Sequence, residues 1–142
     1  MTIEISEALM KQIHKNGEAA YPEEGAGLLL GDVQDERRLA RLILPLVNAR
    51  EASARHNRYL ITPQDMLHAE QQAAQLGLDI LGVFHSHPDH PNRPSEFDRE
   101  WAIPWYSYMI TSVNAGQAVE SRSWRLNEDR LDYEEESIEI VE

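Results

Sequence analysis

The sequence contains no cysteine. Disulfides are therefore excluded, as is any metal site built on thiolates. A transition metal would have to be held by His, Asp, Glu and water. No apolar run approaches the ~18 residues that a membrane-crossing helix needs. The opening Met1-Thr2-Ile3-Glu4-Ile5 lacks both the basic region and the apolar stretch of a secretion signal. A cytoplasmic protein with no membrane partner is expected. Positive charge is also scarce: 13 Lys and Arg face 25 Asp and Glu, a net charge of −12. Nucleic-acid binders need a cationic surface to displace counterions from phosphate, so no nucleic-acid partner is expected.

What is present suits one globular domain over residues 1–142. Hydrophobic residues make up 42% and charged residues 27% of the 142 positions, enough for a single core without the composition of a disordered chain. The acidic excess gathers toward the end, at Glu128-Asp129 and from Asp132 to Glu142. Residues 127–142 are read as an acidic, largely solvated C-terminal tail.

Ser6 is placed to cap a helix whose apolar positions Ile5, Leu9 and Ile13 recur at helical spacing, ending before Pro22. Ala26 to Gly31 reads as a strand, and so does Arg38 to Leu46. Asn48 to Asn57 reads as a polar loop long enough to be mobile, and Tyr59 to Ile61 as a short strand. Thr62-Pro63-Gln64-Asp65 is a helix start. Met66, Ala69, Ala73 and Leu76 form that helix's apolar face, and Gly77 ends it. Ile80 to Phe84 is a buried strand. Ser95-Glu96-Phe97-Asp98 has the capping-box pattern of a short helix that Pro104 closes. Tyr106 to Thr111 is a further strand, and Ala118 to Leu126 with Leu131 to Glu135 a hairpin. Hairpins mixed with helices, without regular βαβ alternation, predict an α+β fold: a mixed sheet carrying two main helices.

The chemistry centres on His85-Ser86-His87-Pro88. Side chains alternate along a strand, so His85 and His87 face one side and Ser86 the other. Asp98 follows His87 by eleven residues, across a loop stiffened by Pro88, Pro91 and Pro94 that can return a helix start over the strand end. Two imidazoles, one carboxylate and a water make an open tetrahedral zinc site of the catalytic kind. His90 is an alternative ligand in the same loop, whereas His14, His56 and His68 have no motif partners. Such a site needs a base. Glu24, ahead of the strand beginning at Ala26, is a candidate, but its spacing does not separate it from Glu23.

Taken together, Pro22-x-Glu24-x-x-Gly27-Leu28-Leu29-Leu30-Gly31, His85-Ser86-His87-Pro88 and Ser95-x-x-Asp98 resemble the JAMM (MPN+) metallopeptidases over nearly the whole chain. The resemblance implies that His85, His87 and Asp98 bind one zinc ion per chain. It also implies that Glu24 acts as general base and then acid, and that Ser95 stabilises the oxyanion. The implied fold is a deaminase-like α/β sandwich around a curved mixed sheet, with a short helix starting at the metal site. The implied reaction is hydrolysis of an amide or isopeptide bond. The short, single-domain form resembles the prokaryotic branch, whose members process ubiquitin-like sulfur carriers of the ThiS, MoaD or CysO type that end in Gly-Gly. The alternatives are a deubiquitinase-like isopeptidase and a non-catalytic binding module of the same fold. A nucleobase deaminase is excluded, because its Pro-Cys-x-x-Cys motif needs cysteine. The sequence is compatible with a monomer or a homodimer.

Overall fold

A computed structural model describes residues 1–142. Seven strands and three helices follow in the order β1 (Thr2–Ser6), α1 (Glu7–Ala20), β2 (Ala26–Gln34), β3 (Arg37–Leu46), α2 (Pro63–Leu76), β4 (Asp79–Pro88), α3 (Glu96–Trp101), β5 (Ser107–Asn114), β6 (Gln117–Leu126) and β7 (Tyr133–Val141), with a short 3-10 turn at Ala52–Ala54. The α+β mixture is as the sequence predicts. The sheet, however, does not stay open as one layer of a sandwich: it closes into a barrel in the order β1-β3-β2-β4-β5-β6-β7.

Closure comes from the two chain ends. Thr2–Ser6 pairs in parallel with Ser137–Val141, and the other edge of β1 pairs in parallel with β3. The acidic segment expected as a tail is therefore largely a strand. So acidic a stretch can pair because Glu134, Glu135 and Glu139 stay in water and only Glu136 is buried, against partners inside the barrel. The N-terminal residues were likewise not expected as a strand. Ile5 belongs with Ile3 to β1, not to the helix, although Ser6 does cap α1 by accepting a hydrogen bond from Leu9 N.

Two core clusters lie on opposite faces of the strands. One joins Ile3, Ile5, Leu29, Leu81, Phe84 and Met109 to Leu9 and Ile13 of α1. The other joins Leu28, Leu30, Val83 and Tyr108 to Ala69 and Ala73 of α2. Gly17, in mid-helix, lets α1 approach the sheet: a Cβ there would stand 3.0 Å from Val113 Cγ2 and 3.1 Å from Ser86 Cβ. Leu76, expected on the apolar face of α2, is exposed. Tyr59 to Ile61 is not a strand. Its backbone partners are Ala49 N, which donates to Leu60 O, and the side chain of Asn48.

On the α1 face, the barrel also holds a polar network. Arg38 of β3 donates to Leu81 O and to Ser107 Oγ. Ser107 and Ser123 both donate to Glu136 Oε1, at 2.7 and 2.8 Å, and Arg125 pairs with Glu136 Oε2. Glu136 thus ties β7 to β5 and β6. Removing one partner of a buried charge network strands the others. Glu136→Ala should therefore lower unfolding stability by about 3–5 kcal/mol in urea denaturation. A loss below 1 kcal/mol would mean that residues 133–141 behave as a tail.

Candidate metal centre

The site begins with the β2–β4 register. Ala26 pairs with His85, antiparallel. One residue further out, Gly25 N donates to Ser86 Oγ at 2.8 Å and Ser86 N donates to Gly25 O at 3.0 Å. One more step sets Glu24 opposite His87. A register shift in β4 fixes the face: Leu29 pairs with Gly82 but Leu30 with Ile80. The extra residue turns both Ile80 and Val83 toward α2 and carries His85 and His87 onto that same face.

Asp98 arrives from α3. Ser95 Oγ accepts from Asp98 N at 3.1 Å, and Ser95 N donates to Asp98 Oδ2 at 2.8 Å, the reciprocal capping box expected from sequence. Arg130, in the β6–β7 loop, holds the other end of this six-residue helix by donating to the carbonyls of Arg99, Glu100 and Ala102. The proline loop acts as expected: Pro91 O receives a hydrogen bond from His87 Nδ1 at 2.7 Å.

One donor atom from each of Glu24, His85, His87 and Asp98 lies within 4.8 Å of the others, and all four residues are buried. Glu23 is not part of this cluster. His90 is excluded from it too: its ring stacks on His87 at 4.3 Å and its Nδ1 is taken up by Pro88 O. His14 bonds Ser121 Oγ, while His56 and His68 are exposed.

The donor set fits a cation. A carbonyl only accepts, so His87 Nδ1 carries a proton, and whenever the ring is neutral Nε2 presents its lone pair. That atom faces Asp98 Oδ2 at 3.1 Å, and His85 Nε2 lies 3.3 Å from Asp98 Oδ1. Both nitrogens of His85 and Glu24 Oε1 are buried without a hydrogen-bond partner. Electron-pair donors converging out of water are costly unless positive charge joins them. Burial pushes the Glu24 carboxyl up to about 8, with His87 opposing and Asp98 adding to the rise. Burial would raise Asp98 too, but the adjacent His85 and His87 imidazoles outweigh it and hold Asp98 well below the usual carboxylate range.

The family of prokaryotic homologs of the JAB domain matches residues 6–127. The chain belongs to that family. The JAMM resemblance carried by the motif therefore holds, in its prokaryotic branch. A Thermus thermophilus protein described as a probable TtuB-protein conjugate cleaving protease is 32% identical over 97 residues, which are 66% of this chain and 61% of that protein. A desampylase of Haloferax volcanii is 33% identical over 92 residues, 64% of this chain and 63% of the relative. The match thus spans less than two thirds of either relative. A solved structure from Desulfitobacterium hafniense superposes on this JAB domain with a TM-score of 0.86 at 29% identity, over 100% of this chain and 94% of the other. A JAB1/MPN domain protein from Archaeoglobus fulgidus shares the fold, with a TM-score of 0.60 at 22% identity over both whole chains.

Sequence reasoning missed the residues that hold this site from outside. Asn48 donates to Glu24 O and Arg58 O and accepts from Arg50 N and Leu60 N, and Glu24 N donates to Arg55 O at 2.7 Å. The loop expected to be mobile is therefore fastened to the residue bearing the carboxylate. Tyr59 follows, its ring 4.5 Å from that of His85. The only local signal was an Asn at a strand end.

The raised Glu24 carboxyl has a signed consequence for the metal-free protein. The folded state keeps a proton up to about pH 8 that the unfolded chain releases near 4.5. Stability is then lost as pH rises through that window. In thermal or urea unfolding with chelator, Glu24→Gln should remove this slope and be more stable at pH 8 by on the order of a few kcal/mol. Equal slopes in the two proteins would mean that Glu24 is solvated and ordinary.

Proposed function

We propose that this JAB domain is a zinc-dependent peptidase that hydrolyses the amide or isopeptide bond following the Gly-Gly end of a ubiquitin-like or sulfur-carrier protein. The buried cluster of Glu24, His85, His87 and Asp98 carries the reading. His85, His87 and Asp98 would hold the ion. Zinc, when bound, supplies a Lewis acid that activates water near neutral pH and polarises a carbonyl.

The chain's own residues do the rest. Glu24 Oε takes the proton of the attacking water and returns it to the leaving amine. Its place in the cluster supports this role, because it puts the carboxylate within reach of a water held by the ion. Ser95 Oγ already accepts from Asp98 N, which leaves its own proton free to donate to the oxyanion that develops on the carbonyl. The His87–Pro91 hydrogen bond holds the imidazole in one tautomer.

Burial supports the Gly-Gly preference. His85, His87 and Glu24 are each at most 1% exposed, so the scissile bond has to reach them on a segment without side chains. The relatives named as conjugate-cleaving protease and desampylase support a protein conjugate as substrate.

Intact-protein mass spectrometry on Gly-Gly carriers with C-terminal extensions or lysine conjugates tests this. A mass loss ending after Gly-Gly is expected, abolished by chelator, restored by zinc and absent in Glu24→Gln and His87→Ala. His87→Ala should also lose the metal. Ser95→Ala should keep it and lose roughly 2.7–4 kcal/mol of transition-state stabilisation, or 10²–10³ in kcat. No cleavage of any carrier by the zinc-loaded protein would remove the assignment, and near-normal turnover in Ser95→Ala would remove Ser95 from the reaction.

A further inference from the structure

The segment between β3 and α2, residues 47–62, carries Arg50, Arg55 and Arg58 against a single acid, Glu51, in a chain of net charge −12. Arg55 is engaged internally, donating through Nε to Arg50 O. Arg50 and Arg58 are not. The guanidinium of Arg58 lies 3.6 Å from the ring centre of Phe97, and that of Arg50 lies 5.7 Å from Trp101, both rings belonging to α3. The Nε of each is buried without a hydrogen-bond partner.

Arg37, Arg41, Arg99, Arg122 and Arg125 all find a carboxylate among the chain's 25 acids. Neither Arg50 nor Arg58 pairs with any. Together with Tyr59, Phe97, Trp101 and Asp98 they line one cleft. The cleft adjoins the centre on two sides, because Phe97 precedes Asp98 and Arg58 precedes Tyr59, whose ring lies against His85. Fastening the loop to α3 accounts for the stacking, which uses the guanidinium faces. It leaves the in-plane N–H edges, which are the groups that match a carboxylate in a two-point hydrogen bond. Ring stacking fixes the plane of each fork and lowers the ordering cost of that bond.

We propose that Arg50 and Arg58 form a carboxylate-binding subsite at the mouth of the metal centre, taking a substrate carboxylate one or two residues from the scissile bond. The reach follows from an extended chain's ~3.3–3.6 Å per residue and the contiguity of the cleft with Asp98. The proposal deepens, and rests on, the peptidase reading. Two sources share this chemistry: the free α-carboxylate of a single-residue leaving group, or an acidic side chain beside the Gly-Gly. A lysine isopeptide inside a folded conjugate offers the first only if its own carboxylate is free.

Three fluorogenic tail peptides separate the cases: Gly-Gly-Ala with a free C-terminus, Gly-Gly-Ala amide and Gly-Gly-Glu amide. The zinc-loaded wild type should favour a carboxylate-bearing peptide over Gly-Gly-Ala amide by about tenfold to hundredfold in kcat/KM, mainly through KM. Preference for the free acid identifies the terminal carboxylate, and preference for the Glu amide identifies the side chain. Arg58→Gln and Arg50→Gln should each shrink that ratio, and Arg58→Lys should recover it only in part, since it keeps the charge without the fork. Calorimetric binding of the same peptides to zinc-loaded Glu24→Gln, with and without Arg58→Gln, reads the subsite without turnover. Arg58-dependent, carboxylate-selective binding with no cleavage by wild type would keep the subsite and remove the hydrolytic reading. Cleavage of all three peptides at equal efficiency would overturn the subsite and leave the peptidase standing.

Discussion

The exchange of hydrogen bonds between Gly25 and Ser86 is the constraint on which the site depends. It fixes the end of β2 against the end of β4. Glu24 and His87 then become opposite residues on one face, while Ser86 turns inward beneath α1. A slip of one residue would send both histidines to the other face. Gly17 matters for the same reason: its missing side chain gives Ser86 room on the inner face. The β4 bulge, the serine hydroxyl and the mid-helix glycine all serve the placement of two imidazoles and one carboxylate.

The second carboxylate is held by a short helix with little stability of its own. Six residues make less than two turns, and isolated helices of that length do not persist in water. Its order is imposed at both ends, by the capping box around Ser95 and by Arg130 on its last carbonyls. Asp98 thus has two functions at once. One oxygen closes the capping box while both face the imidazoles, so the order of the helix and the charge state of the centre are coupled. A cation binding there would draw on contacts that also fold α3. Ligand affinity and local stability should rise together.

The His-x-His strand, the cap at Ser95, the helix at Thr62 and the approach of Asp98 were legible because each is written in adjacent residues. Glu24 was legible only through the family motif, since spacing alone left Glu23 equal. The barrel was not legible, because its closure joins residues 2–6 to 137–141, and no local pattern announces a parallel pairing between chain ends. The hairpin arm read over Leu131 to Glu135 catches the start of β7, but the density of acids hid its continuation to Val141, and its only buried acid, Glu136, is paired with Arg125 inside. Tyr59 to Ile61 has strand composition, but an asparagine side chain takes the place of a sheet partner. Stacking of Arg58 and Arg50 on α3 joins residues about forty and about fifty positions apart. Nothing in a run of polar loop residues marks it.

The charge distribution gives these arginines a meaning beyond local packing. A surface of net −12 would repel an acidic carrier of the proposed kind at long range, and salt at physiological strength screens this within about 8 Å. Inside that distance local charge decides the encounter. The one segment beside the centre with excess cations is the loop that also fastens Glu24 through Asn48 and Arg55. Contact with an anion there bears on the segment that positions Glu24, the base of the proposed reaction. In the proposed reaction, a substrate carboxylate bound at the cleft would hold the loop in the arrangement that sets Glu24 opposite His87, so recognition and the placement of the Glu24 carboxylate would become one event. A neutral peptide of the same length would meet the same donor atoms but would do nothing to hold that loop. In the proposed reaction such a coupling would favour interactions realised at the reacting centre over uniform grip on a carrier body, which is how binding energy is turned into rate.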